Sequence, residues 1–285
     1  APELIAAALD LLDRSAAGEV REVSAPAPPE APPELSPVLI RLFGEFSVRR
    51  DGVEVTTGLP PRSRTREVLS YLTLFPEGRR RDELTADVWP EAEEGQDVSL
   101  VHTTLHRLRQ ALYPELFVTD TSTEVSYRLN PAAPVTADVR TFEGTIDSAA
   151  RPGVGTEERR RLLEAAATMY RGPFFPECYA EWAEEHRRRF EQRWLTVLAQ
   201  LTDLTWNAGD YRSCLVWCQR LLEMQPHNDA IHARVLECYE RLGEPMAGLL
   251  FYRQHVDETE TETGRPLDMA RRRLRQVYER LASGG

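Results

Sequence analysis

Strand-type alternation at both ends of residues 38–129, three helical patterns between them, and strand-free helical repetition from Glu157 onward set the predicted fold class. It is an α+β winged helix-turn-helix domain followed by an all-α tetratricopeptide-like helical repeat domain. At 285 residues and 41% hydrophobic the chain is long enough for two cores, since domains typically run about 100 to 150 residues. The predicted plan is a helical tail of a preceding domain over 1–23, a Pro-rich linker over 24–37, the winged helix over 38–134 and the helical repeats over 135–285.

Leu4, Ala7, Ala8, Leu11 and Leu12 recur at helical spacing, on a segment too short to be stable alone. Residues 24–37 read SAPAPPEAPPELSP, a composition that favours extended polyproline II over a core. VLIRLFGEFSVRRDGVEV (38–55) then alternates apolar and polar residues, and Asp51-Gly52 supplies the positive φ angles of a tight hairpin. Helical patterns follow over Ser63 to Leu74, over Arg81 to Trp89 with Pro90 as the stop, and over Asp97 to Tyr113. The last carries Val98, Val101, Leu105, Leu108 and Leu112 on one face. FVTDTSTEVSYRL (117–129) returns to strand alternation around a polar turn and closes a winged helix, whose third helix is the one expected in a major groove. Beyond residue 157, Leu198, Leu201, Thr205, Gly209, Tyr211, Cys214, Cys218, Leu221 and Pro226 follow the tetratricopeptide spacing. His232, Val235, Leu236, Tyr239, Gly243, Gly248 and Tyr252 repeat it, with small residues at 214 and 248 where paired helices approach and larger ones at 218 and 252 as plugs.

The net charge is −11 and no segment is globally basic: residues 1–35 hold two Arg against seven acids, 36–136 twelve against fifteen, and 137–285 twenty-one against twenty-four. All 35 basic residues are Arg, the side chain that forks onto guanine edges or phosphates, although genomic base composition produces the same bias. No apolar run reaches the roughly 18 residues of a membrane span, and no charged leader precedes an apolar core, so a cytoplasmic protein cut from a longer chain is expected. The four Cys sit among helical patterns, as reduced thiols do. There is no P-loop, no GxGxxG after a strand, no GxSxG elbow and no Cys/His zinc array, so neither an enzyme nor a cofactor is expected. His102 and His106 share the i, i+4 spacing of two metal ligands but lack a third nearby, and Cys214 and Cys218 are read as structural.

The motifs LFGEFSVRRDG, RDELTADVWPE, LHRLRQAL, YRL, ADVRTFE and YRGPFFPECYAEWAEEHRRRF, in this order from about Ile40, resemble those of the SARP/AfsR type of regulator. The resemblance implies an OmpR-type winged helix joined to a bacterial transcriptional activator domain, double-stranded DNA and RNA polymerase as partners, and often sensor or ATPase domains elsewhere. The wing departs from the OmpR-type pattern, because 119–126 (TDTSTEVS) offers Asp120 and Glu124 where a basic residue is usual.

The apolar stripe of the third helix turns Ser99, Thr103, His106, Arg107 and Gln110 outward, with His102 and Arg109 on the flank. Arg107 is the expected base reader, Thr103 or Thr104 the expected contact to a thymine methyl or a phosphate, and Arg109 resembles the family's phosphate contact. Arg62, Arg64 and Arg66 before and in the first helix, with Arg79, Arg80 and Arg81 before the second, form the clear basic excess expected along a phosphate backbone. Plain solvation is the alternative for all of these cations, and Arg187 to Arg189 and Arg271, Arg272, Arg273 and Arg275 are expected to face solvent. By the resemblance, the acidic loop Trp89 to Gly95 is the candidate contact to RNA polymerase, with an ordinary exposed turn as its alternative. So few cations on the reading helix predict binding as a homo-oligomer on repeated sites. The competing function is a tetratricopeptide-type interaction scaffold whose winged helix no longer binds DNA.

Overall fold

The computed structural model describes residues 37–93, 97–122, 124–254 and 269–283. The expected tail over 1–23, the linker but for Pro37, and the end of the Trp89 to Gly95 loop lie outside the described residues. Strands β1 (Val38–Arg41), β2 (Ser47–Arg50) and β3 (Val53–Glu54) form an antiparallel meander, and β7 (Val135–Ala137) joins β1 in parallel, in the order β3-β2-β1-β7. The hairpin at Asp51-Gly52 has φ of 51° and 77°, the two positive angles that the dipeptide predicts. Val38, Ile40 and Val48 are buried on one face. Helices α1 (Arg64–Leu74), α2 (Arg81–Val88) and α3 (Asp97–Ala111) follow, then the hairpin β5 (Phe117–Asp120) and β6 (Ser126–Leu129). The two-residue strand β4 (Arg79–Arg80) adds itself to β6, giving a second sheet ordered β4-β6-β5.

The chain divides into two compact units. Unit 1 comprises Ala1–Ser148 and Thr168–Glu191, and unit 2 comprises Ala149–Ala167 and Gln192–Gly285. Unit 1 therefore takes in β7, helix α4 (Asp138–Ala149) up to Ser148, and the first turns of α6 (Glu181–Asn207) together with the winged helix. Its centre is aromatic. Phe43 stands 5.2 Å from Phe142, 5.0 Å from Tyr170 and 5.2 Å from Phe190, and Phe174 lies 5.4 Å from Phe190. The first and third of these are edge-on, and aromatic pairs of this kind each add about 0.5 to 1.5 kcal/mol beyond their buried area.

Backbone contacts fix this core. Gly44 N–H donates to Pro173 O at 3.0 Å and Phe175 N–H to Leu42 O at 2.8 Å. A Cβ on Gly172 would lie 3.2 Å from the Gly44 Cα, so the two turns meet where only glycine fits. Asp138 is buried, and its carboxylate accepts from the amides of Leu42, Phe43 and Val139 at 2.8–3.0 Å. Burial pushes that carboxyl up to about 6 despite these donors. Arg187, expected in solvent, instead donates to the carbonyls of Phe174, Phe175 and Cys178 at 2.8–3.1 Å, because this irregular turn has no strand or helix to satisfy them.

Unit 2 holds most of α5 (Thr156–Met169), the rest of α6, and α7 (Tyr211–Met224), α8 (Asp229–Leu242), α9 (Pro245–Tyr252) and α10 (Met269–Ser283). Asp210 and Asn228 cap α7 and α8 by accepting from the amides of Ser213 and Ile231, and Gly243 ends α8 in the left-handed region at φ 70°. Cys214, Cys218 and Cys238 pack with Val235, while Leu236, Tyr252, Leu274, Val277 and Leu281 build a neighbouring core. Gly248 is a close-approach position: a Cβ there would lie 3.1 Å from Leu281 Cδ1 and 3.2 Å from Tyr239 Cβ. Arg273 is exposed, as expected, and also pairs with Glu237 at 2.8 Å. Among the described residues no helix is long and apolar enough to cross a membrane.

Candidate nucleic-acid interface

Helix α3 buries Val101, Leu105, Leu108 and the adjoining Leu112 completely, which fixes the opposite face outward. Val98, expected in the stripe, is 40% exposed, because it sits one residue into the helix before the packed turns begin. Ser99, His102, Thr103, His106, Arg107 and Gln110 are exposed. Steps of about 100° per residue set Thr103, His106 and Gln110 along the middle of this face and Arg107 on the edge toward α1. That edge borders a groove of about 580 Å³ lined by Gly58, Leu59, Ser63, Arg64, Thr104 and Arg107, among others. No hydrogen bond or ion pair holds Arg107 to another described residue.

Two expected contacts on α3 are placed differently. Thr104 is buried, and its hydroxyl donates to the Leu100 carbonyl at 2.8 Å, which leaves it no proton for a ligand. Arg109 is half-buried, with Nη2 donating to Phe117 O at 3.3 Å, so it braces α3 against the start of β5. His102 sits on the same flank, its ring edge-on to Tyr127 at 6.4 Å.

The arginines around α1 and α2 separate by environment. Arg62 is exposed, at φ 53°. Arg64 is paired with Glu67 and Glu91, each at 2.6 Å, while its backbone opens α1 beside the groove. Arg66 is 7% exposed and leaves the exposed set: Nε donates to Leu59 O at 2.7 Å, Nη1 meets both Glu177 oxygens at 2.8 and 3.1 Å, and the guanidinium lies 4.7 Å over Phe46. It faces the core because α1 is buried along almost its whole length. Arg79 lies 3.6 Å over the Phe75 ring. Arg80 pairs with the wing's Glu124 at 2.8 Å, and Glu124, then Asp82, hold its guanidinium above the usual range. Hence the wing's Glu124 is matched by a cation on the neighbouring strand. In the loop after α2, Trp89 is buried, while Pro90, Glu91 and Glu93 are exposed.

Residue patterns alone missed the ion pairs of Arg64, Arg66 and Arg80; the i, i+3 relations of Arg64 with Glu67 and of Arg80 with Glu83 were the local signals. Among the described residues no group of three or more His, Cys, Asp or Glu is arranged to hold a metal.

A third helix with an exposed face, flanked by a hairpin and followed along the chain by stacked helices, is the architecture of a transcription regulator. A family model described as the bacterial transcriptional activator domain matches residues 137–281, just over half of the chain. The chain belongs to that family, a transcriptional activator domain rather than an enzyme class. A solved structure of Mycobacterium tuberculosis EmbR, in complex with a low affinity phosphopeptide, shares the fold with a TM-score of 0.60 at 17% identity. The alignment covers 87% of this chain and spans 66% of that one. No curated protein matches the sequence. Family and fold together bear out the resemblance to SARP-type regulators, with a winged helix followed by a helical activator domain.

Proposed function

We propose that the chain is the sequence-specific DNA-binding part of a transcriptional activator, the output portion of a larger cytoplasmic protein, with α3 as its reading helix. The observation that carries this is the face of Ser99, Thr103, His106, Arg107 and Gln110, bare of covering residues and centred on a helix whose other side is locked into the core. Thr103, His106 and Gln110 supply the mid-face donors and acceptors that major-groove base edges require, with Ser99 and His102 beside them. Arg107 reaches in from the edge, able to fork onto a guanine. Arg62 and the amides that open α1 line the same side for phosphates. Arg64 and Arg80 join them by exchanging carboxylates for phosphates, whereas Arg66 and Thr104 act through the fold and Arg109 as a brace. Few uncommitted cations favour two or more copies on repeated sites. The exposed acids of the Trp89 to Gly95 loop suit a basic surface of RNA polymerase.

A second reading, an interaction scaffold that no longer binds DNA, is favoured by one observation: Arg64 and Arg80 are already neutralised within the chain. Random-sequence duplex selection with the intact protein, followed by affinity across a salt series, separates the two. An enriched motif with a negative salt slope supports the regulator; no enrichment and a flat slope support the scaffold.

A further inference from the structure

The outer face of the four-stranded sheet carries a second group of arginines, away from α3. Strand register puts Leu39 and Arg41 of β1 on the same face as Arg49 and Ser47 of β2, because Leu39 opposes Arg49 and Arg41 opposes Ser47. Arg41 and Arg49 are therefore diagonal cross-strand neighbours, about 7 to 8 Å apart at their backbones. The turn contact brings in a third. A Cβ on Gly44 would stand 3.3 Å from Arg171 O and 3.9 Å from Arg171 Cβ, so the Gly44–Gly172 approach delivers Arg171 to the end of β1.

These cations are unevenly compensated. Arg49 pairs with Glu54 at 3.4 Å. The carboxylate of Asp138 is also close, but it is fully buried and its oxygens are taken up by three backbone amides. Arg171 is exposed and has no ion pair among the described residues. Arg41 is the informative one: its Nε and Nη2 are buried, and neither has a hydrogen-bond partner among the described residues. Buried guanidinium donors left unmatched are costly, so a ligand that supplies acceptors to them is favoured. Burial, then Arg171, then Arg49 hold the Arg41 guanidinium below its usual range, against the opposing pull of Asp138 and Glu54.

We propose that Arg41 and Arg171, with Arg49 at the rim, form a binding site for a doubly charged tetrahedral oxyanion, a free phosphate or a phosphate monoester. Arg41 and Arg171 face one buried carboxylate, Asp138, whose oxygens are already taken up by amides, and the parallel N–H donors of a guanidinium match two oxygens of one phosphoryl group. The site touches the turns that hold β1 to residues 171–175, so occupancy stiffens unit 1 without involving α3.

The test uses the intact protein at constant ionic strength. The Arg Nε–H resonances are followed by nitrogen-edited NMR while inorganic phosphate or acetate is added, in the parent and in Arg171→Gln, Arg41→Gln and Arg107→Ala. A shift of the Arg41 Nε–H resonance with phosphate but not acetate is expected, unchanged in Arg107→Ala. In Arg171→Gln, an exposed position, the same shift needs at least about tenfold more phosphate, as loss of one charge-assisted contact implies. Phosphate-induced thermal stabilisation should fall in parallel in both Arg171→Gln and Arg41→Gln. An Arg41 resonance insensitive to phosphate, an equal response to acetate, or a midpoint unaltered in Arg171→Gln overturns the proposal. Because α3 takes no part, DNA-binding results leave this outcome untouched.

Discussion

Replacing Arg66 by Ala separates a structural arginine from a phosphate contact. The substitution removes the bond to Leu59 O, both bonds to Glu177 and the stacking over Phe46. It also strands Glu177, whose side chain is 21% exposed against 9% for Arg66. Breaking a buried ion pair from one side typically costs about 3 to 5 kcal/mol, and the partial exposure of Glu177 scales this to roughly 2 to 3 kcal/mol. For a unit of this size such a loss lowers Tm by about 5 to 10 °C. Calorimetry of the intact protein measures that shift, and duplex affinity of the folded variant across a salt series should keep the parent's slope. A variant that melts like the parent but whose salt slope is shallower by about one would refute the reasoning and return Arg66 to the DNA backbone.

Arg107→Ala should cost roughly 1 to 3 kcal/mol on the preferred duplex and relax the choice of base at one position; equal weakening on preferred and scrambled duplexes would remove its reading role. Gly248→Leu should destabilise unit 2 by about 1 to 3 kcal/mol through overpacking against Leu281 and Tyr239, as read by denaturant midpoints, and an unchanged midpoint contradicts the close approach. Asp138 has a native pKa of about 6, above its unfolded value of about 3.9. Its ionised form is therefore disfavoured by folding, so this contribution is most favourable below pH ~4, declines as pH rises to ~6 and is constant above; Asp138→Asn should flatten that segment of the stability–pH curve, and an identical curve would show the group untitrated there. A fragment over 135–285 should keep helical circular dichroism but bind a hydrophobic dye and melt broadly, since it exposes the Phe142 and Phe190 faces that pack on Phe43; a sharp dye-free transition would show that Phe43 is dispensable.

The periodic elements were legible because local pattern decides them. Helices α1 to α3, the Asp51-Gly52 hairpin and the small positions at Cys214 and Gly248 all follow from spacing. Strands β4 and β7 were not, since two or three residues carry no period and their pairing partners Tyr127 and Ile40 lie far along the chain. On the reading helix the exposed set was legible from the apolar stripe, but Thr104 and Arg107 sit toward α1, whose position only the packed structure supplies. The fate of each arginine was the least legible feature. Arg66 and Glu177 are 111 residues apart, and nothing local distinguishes Arg66 from Arg62.

The mutual fit of Gly44 and Gly172 has a consequence for synthesis. Strand β1 leaves the ribosome before the turn that completes its surroundings and the helix bearing Phe190, which follow roughly 130 and 150 residues later. At about 5 to 20 residues per second, Phe43 waits roughly 8 to 30 s for its final neighbours. During that interval the nascent winged helix presents an unfinished aromatic surface, a natural binding site for a holdase chaperone. A message truncated ahead of the segment that encodes Gly172 to Phe190 would yield a product that carries the reading helix without its completed aromatic core.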